Sequence, residues 1–114
     1  MITISRAYDP PLERKGVRIL VDRLWPRGIS KKRLNVQKWL RNVAPSYNLI
    51  KWYSHDPEKW NEFRERYFSE LDENPETKEL LELCRKQDVV FVYSSKNKDI
   101  NNAVALKDYI TKRI

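Results

Sequence analysis

Two short runs, Val17-Arg18-Ile19-Leu20-Val21 and Val89-Val90-Phe91-Val92-Tyr93, constrain this chain more than any other feature. Each is almost continuous in β-branched, apolar and aromatic residues, which is the pattern of a strand covered on both faces. A long stretch of helical and turn patterns separates them. Strands joined through helices pack as parallel neighbours with a right-handed crossover. Both then end on the same edge of a sheet. The polar segments that follow them, Asp22-Arg23-Leu24-Trp25 and Tyr93-Ser94-Ser95-Lys96, therefore converge, at the edge where open α/β sheets bind ligands.

The rest of the chain fits around that frame. Ile2 to Tyr8 alternates apolar and polar residues as a strand does, and Asp9-Pro10-Pro11 stops it. A polar connection runs to Gly16, and the second strand covers Val17 to Asp22. The connection between these first two strands is too short for a helix, so a hairpin is the default and a parallel return the alternative. Leu24 to Arg33 reads as loop. Val36, Trp39, Leu40 and Val43 recur at helical spacing with Asn35 as N-cap; Pro45 ends that helix and Ser46 caps the next, which carries Leu49, Ile50 and Tyr53.

Asp56-Pro57 is a cap followed by an N1 proline, opening a helix lined by Trp60, Phe63, Arg64, Tyr67 and Leu71. Asn74-Pro75 repeats the signal for a helix carrying Leu80, Leu81 and Cys84. Asp99 is the expected cap of the last helix, with Ala103, Leu106 and Ile110 inward. The expected architecture is a single α/β domain over residues 1–114. Its sheet is small, three-stranded and largely parallel, flanked by helices in the order β-β-α-α-α-α-β-α.

Charge bears on partners. The formal net charge is +7, but residues 1–60 hold 13 Lys+Arg against 5 Asp+Glu, and residues 61–114 hold 10 against 11. The whole excess sits in the first half and favours an anionic partner there. No apolar run approaches the roughly 20 residues that span a bilayer, and the start lacks a signal-peptide layout, so the expected setting is cytoplasmic with no membrane partner. A single cysteine, Cys84, excludes an internal disulfide and a cysteine-rich zinc site; a lone histidine, His55, anchors no histidine-rich one. Neither a metal nor a cofactor is implied.

Asp22-Arg23-Leu24-Trp25-Pro26-Arg27-Gly28 comes after Arg6-Ala7-Tyr8-Asp9 and before Ala44-Pro45-Ser46, Trp52, His55-Asp56-Pro57 and Trp60. Together these resemble the short, single-domain members of the DUF488 family over nearly the whole chain. The resemblance implies a small α/β domain and brings no established activity with it. It also locates departures. Where the family carries an acid and then a histidine near its C-terminus, this chain has Asn97 and Ile100, ahead of Asn101-Asn102-Ala103.

The candidate ligand-binding residues are Arg6, Tyr8, Asp9, Asp22, Arg23, Trp25, Arg27, Tyr93, Lys96, Asn101 and Asn102. Arg6, Tyr8 and Asp9 belong only if the first strand runs parallel to the second. An arginine fork suits phosphate or carboxylate, so the leading reading is a pocket for a small anionic ligand. Alternation sends Asp22 and Arg23 to opposite faces, which pairs Asp22 with Arg27 and leaves Arg23 for the anion. His55 is a candidate acid/base, or else a hydrophobic staple with Trp60. Lys51-Trp52-Tyr53 beside the basic run Ser30 to Arg33 carries the rival reading, weak non-specific nucleic-acid binding. A protein-interaction domain with structural ion pairs is the third. No nucleophile–base pair marks the chain as an enzyme.

Overall fold

The computed structural model describes residues 1–10 and 16–114. Its strands are β1 (Ile2–Arg6), β2 (Val17–Leu20), β3 (Lys38–Trp39) and β4 (Val89–Tyr93). The helices are α1 (Lys31–Leu34), α2 (Tyr47–Tyr53), α3 (Trp60–Glu73), α4 (Thr77–Lys86) and α5 (Asn102–Thr111), with 3-10 turns at Arg41–Val43 and Pro57–Lys59. The sheet is four-stranded in the order β1-β4-β2-β3, and every pairing is parallel.

Two expectations are corrected here. β1 and β2 form no hairpin, because the wholly apolar β4 lies between them and pairs with both. The middle of their connection, residues 11–15, lies outside the described residues. The helix expected over Val36 to Val43 is instead β3 followed by a 3-10 turn. The outer edge of β2 decides this. Its carbonyls at Arg18 and Leu20 take the N–H groups of Gln37 and Leu40, at 2.9 and 3.0 Å, and that pairing overrides the local periodicity. Asn35, with φ 51°, closes α1 in the left-handed region rather than opening a helix.

Alternation in β4 builds two cores. Val89, Phe91 and Tyr93 face the helical layer, where Ile19, Phe63, Tyr67, Leu80, Leu106 and Ile110 complete the main cluster. Val90 and Val92 face the other way, onto Leu20, Ile29 and Leu34 with Trp25 and Trp39. Arg18 tethers that smaller layer by donating from Nε to Asn35 O and from Nη2 to Leu34 O, both 3.1 Å. At the amino edge Gly16 has φ +153°, and a Cβ there would stand 2.9 Å from Asp88 O, so the close approach of β2 to the start of β4 calls for glycine.

Caps set the helix limits. Ser46 accepts from Leu49 N and Asp56 from Glu58 N, as expected. The cap of α5 is Asn101, two residues beyond the expected Asp99, and it accepts from Val104 N at 3.0 Å.

Candidate functional site

Because all four strands are parallel, their carboxyl ends share one edge, and Arg6, Asp9, Asp22 and Tyr93 are brought together there. Asp22 is the hub. Its Oδ2 accepts from Ser94 N at 2.9 Å and Ser94 Oγ at 2.6 Å, and its Oδ1 from Asn102 Nδ2 at 3.0 Å. The same Asn102 amide reaches Val21 O at 2.9 Å, and the Asp22 carbonyl takes the Trp39 indole N–H at 2.8 Å. The end of β2 is thus sewn to β4, α5 and β3. Burial pushes the Asp22 carboxyl above the usual carboxylate range, against the hydrogen bonds from Ser94 and Asn102 that lower it. The expected Asp22–Arg27 pair does not form. Neutral donors from β4 and α5 surround the carboxylate first, while Arg27 is exposed.

Beside this hub lies a second group. Arg6 donates from Nε to Ser95 O at 2.8 Å and approaches Asp9 Oδ1 at 3.4 Å, and Lys98 holds Asp9 Oδ2 at 3.0 Å. The Lys98 hydrogen bond, assisted by Arg6, draws the Asp9 carboxyl below its ordinary value. Arg6 also stands 5.1 Å over the Tyr8 ring, whose hydroxyl donates to Arg27 O at 2.9 Å. The donors expected to meet a ligand are therefore spent on the β1 and β4 loops.

Arg23 was expected to be the free arginine, and it is committed. Its Nε donates to Pro45 O at 3.0 Å and its Nη2 to Ala44 O at 3.1 Å, which ties the loop after β2 to the entry of α2. An open cleft of ≈ 310 Å³ adjoins it, lined by Ser46, Tyr67 and Glu70 among others. The Tyr67 hydroxyl is pushed far up, first by burial and then by the Glu70 and Asp22 carboxylates, and it donates to Val43 O at 2.7 Å. Ser46 gives both its N–H and its hydroxyl to Glu70, at 2.8 and 2.5 Å.

The remaining candidates divide. Trp25 donates to Ile29 O at 2.6 Å and meets Trp39 edge-on at 5.5 Å, so it belongs to the smaller core. Tyr93 is buried. Lys96 is exposed, with no ion pair among the described residues. Asn101 is buried as a cap, its amide on Asn97 O at 2.9 Å. His55 is exposed in a left-handed turn (φ 56°), and its ring contact is with Tyr53 at 6.3 Å rather than with Trp60. Tyr53 is core, and Trp52 lies under Lys59 and Arg66. Burial pushes the Cys84 thiol up to about 11, an unreactive position. Asn97, where the family pattern carries an acid, takes the N–H groups of Asp99 and Ile100 on its Oδ1 as a turn-former.

Sequence reasoning placed Ser94 and Ser95 on the converging loop without giving them a role, and missed Lys98, Tyr67 and Glu70 as site residues. Serines in a loop and a glutamate in mid-helix carry no distinguishing pattern, and only the crossover puts them beside Asp22 and Arg23. Among the described residues no group of three or more His, Cys, Asp or Glu side chains could hold a metal, and no helix is long and apolar enough to cross a membrane.

Fold and edge together define a small, all-parallel α/β domain whose strand-end polar groups satisfy one another. The chain belongs to the DUF488-N3i family, described as the inactive DUF488-N3 subclade, whose model matches residues 1–114. It is 40% identical over 110 residues to the uncharacterized protein YeaO of Escherichia coli K12, covering 96% of each chain. It is 35% identical over 112 residues to the uncharacterized protein Rv3073c of Mycobacterium tuberculosis H37Rv, covering 98% of this chain and 95% of that one. No solved structure matches it.

Proposed function

We propose that this domain is a non-catalytic, cytoplasmic module that binds the phosphate backbone of nucleic acid through the exposed cations of the stretch from Arg23 to His55. One observation carries the reading. That stretch holds eight Lys+Arg and no Asp or Glu, and all but Arg23 of its cations are exposed. None of the eight takes part in an ion pair among the described residues. Lys31, Lys32 and Arg33 follow one another on α1, and Arg41 lies 3.9 Å over the Trp39 ring at the end of β3. Exposed cations without counter-ions are what a polyanion's condensed ions exchange with. The next stretch, 56–82, holds ten acids against four Lys+Arg, so charge is segregated along the chain.

In this reading the strand-end residues Arg6, Asp9, Asp22, Arg23 and Asn102 frame the fold and touch no ligand. A small phosphate- or carboxylate-bearing ligand is the second reading. What favours it is that Arg27 and Lys96 are exposed in loops after the strands with no ion pair among the described residues.

Fluorescence anisotropy with labelled mixed-sequence DNA and RNA across a salt series tests the first reading. Affinity should fall with salt at a log–log slope of about −0.7 to −0.9 per phosphate contacted. A Lys31→Glu, Lys32→Glu, Arg33→Glu variant should lose binding and keep its melting temperature. Absence of binding at low salt overturns the reading. A melting-temperature rise with nucleotides or sugar phosphates, in its place, would transfer the function to the strand ends.

A further inference from the structure

The groove between β3 and α4 is used by nothing described so far. It measures ≈ 290 Å³. The partly exposed Leu40 and Leu83 line it with the buried Val43 and Leu80, and Lys38, Lys86, Glu76, Glu79 and Glu82 complete its lining. None of these five charged side chains has an ion-pair partner among the described residues. The three carboxylates continue the acidic stretch 56–82, and here they share a groove with two lysines.

The charges also have an order. α4 ends at Lys86 and β4 begins at Val89, so the chain reverses between them and α4 runs antiparallel to β4. β3 is parallel to β2, which is parallel to β4, so α4 runs antiparallel to β3 as well. Lys86 therefore lies toward the amino edge of the sheet and Glu76 toward its carboxyl edge. Lys38 opens β3 in register with Ile19, below Leu40. Lys38 and Lys86 gather at one end of the groove and Glu76 and Glu79 at the other, with Glu82 and the leucines between.

We propose that two copies of this chain associate through this groove about a two-fold axis. Such an axis reverses the order of charges. Lys38 and Lys86 of one copy then face Glu76 and Glu79 of the other, and Leu83 lies nearest the axis with Glu82, which is one helical turn from Lys86 of its own copy. An isologous contact requires a surface complementary to itself, and this one is. A purely basic or purely acidic partner would satisfy one end and be repelled at the other. β3, an outer strand of two residues, contributes side chains here rather than a strand-to-strand ladder. The inference does not depend on the nucleic-acid reading, with which it shares only Lys38.

Sedimentation velocity of the full chain over a concentration series at low salt is the test, with Glu79→Lys, Lys86→Glu and the double variant. Glu79 and Lys86 are both exposed, and circular dichroism checks that each variant folds. The wild type should dimerise reversibly. Either single reversal should weaken the dimer about tenfold or more, and the double variant should regain most of that loss, because the two sites face each other across the axis. A protein monomeric at every concentration overturns the proposal. So does a dimer insensitive to both single reversals, or a double variant no stronger than the singles.

Discussion

The Asp22 carboxylate and the Asn102 amide meet at 3.0 Å although 80 residues of chain separate them. This one contact joins the end of β2 to the first turn of α5. With Ser94 on its other oxygen, Asp22 holds three elements in register at the sheet edge. Asp22→Ala would strand the Ser94 N–H and the Asn102 amide, and should cost about 3 kcal/mol in urea denaturation at neutral pH.

The pH dependence of that variant carries a sign. The folded carboxyl of Asp22 is raised above its ordinary 3.8, so between that value and its folded value the native state holds the proton more tightly than the unfolded chain. The contribution of Asp22 is therefore fully present below 3.8 and declines as pH rises through the folded value. The stability gap between wild type and Asp22→Ala should be wider in acid than at neutral pH. Asp9, held down by Lys98, has the opposite sign: its contribution is present above 3.8 and is lost as pH falls through its lowered folded value. As pH falls from 7 to 3, denaturation curves should show the gap between wild type and Asp22→Ala widening and the gap between wild type and Asp9→Asn narrowing.

Arg23 and Arg27 exchange the roles that strand alternation assigns them. Arg23→Ala removes two donors from the Ala44 and Pro45 carbonyls and should destabilise the fold by about 2–3 kcal/mol. Arg27 is exposed, so Arg27→Ala should stay within about 0.5 kcal/mol of wild type. It should reduce the salt slope of nucleic-acid binding by about one phosphate. Melting curves and the anisotropy series on both variants check the pair together.

At the entry of α5 the buried Asn101 and not Asp99 is the cap. Asn101→Ala loses both the Val104 N–H bond and the amide bond to Asn97 O, and should cost about 1–2 kcal/mol. Asp99→Ala lies on the exposed turn and should change stability by less than about 0.5 kcal/mol. Equal losses in both would show that the turn, rather than the cap, limits the helix.

The sequence by itself determined what local physics governs. The apolar runs at Val17 and Val89 specify buried parallel strands. Ser46 and Asp56 start their helices through bonds that span two or three residues. Leu80, Cys84, Leu106 and Ile110 are inward because helical spacing leaves them nowhere else to face. The family could also be read from Asp22 to Gly28 and its companions. Tertiary structure alone decided the rest. Val36 to Val43 has helical spacing, yet the open carbonyls of β2 draw it out as a fourth strand and a turn. β1 could have folded back as a hairpin, but the apolar β4 offers it a longer and more buried ladder. The site followed the same rule. Which residues stand at the sheet edge was legible once the crossover was inferred. Which of them pair was not, because the partners of Asp22 and Arg23 are a serine, an asparagine and two backbone carbonyls. Such groups leave no mark in a sequence, and only the packing of β4, α2 and α5 against β2 delivers them.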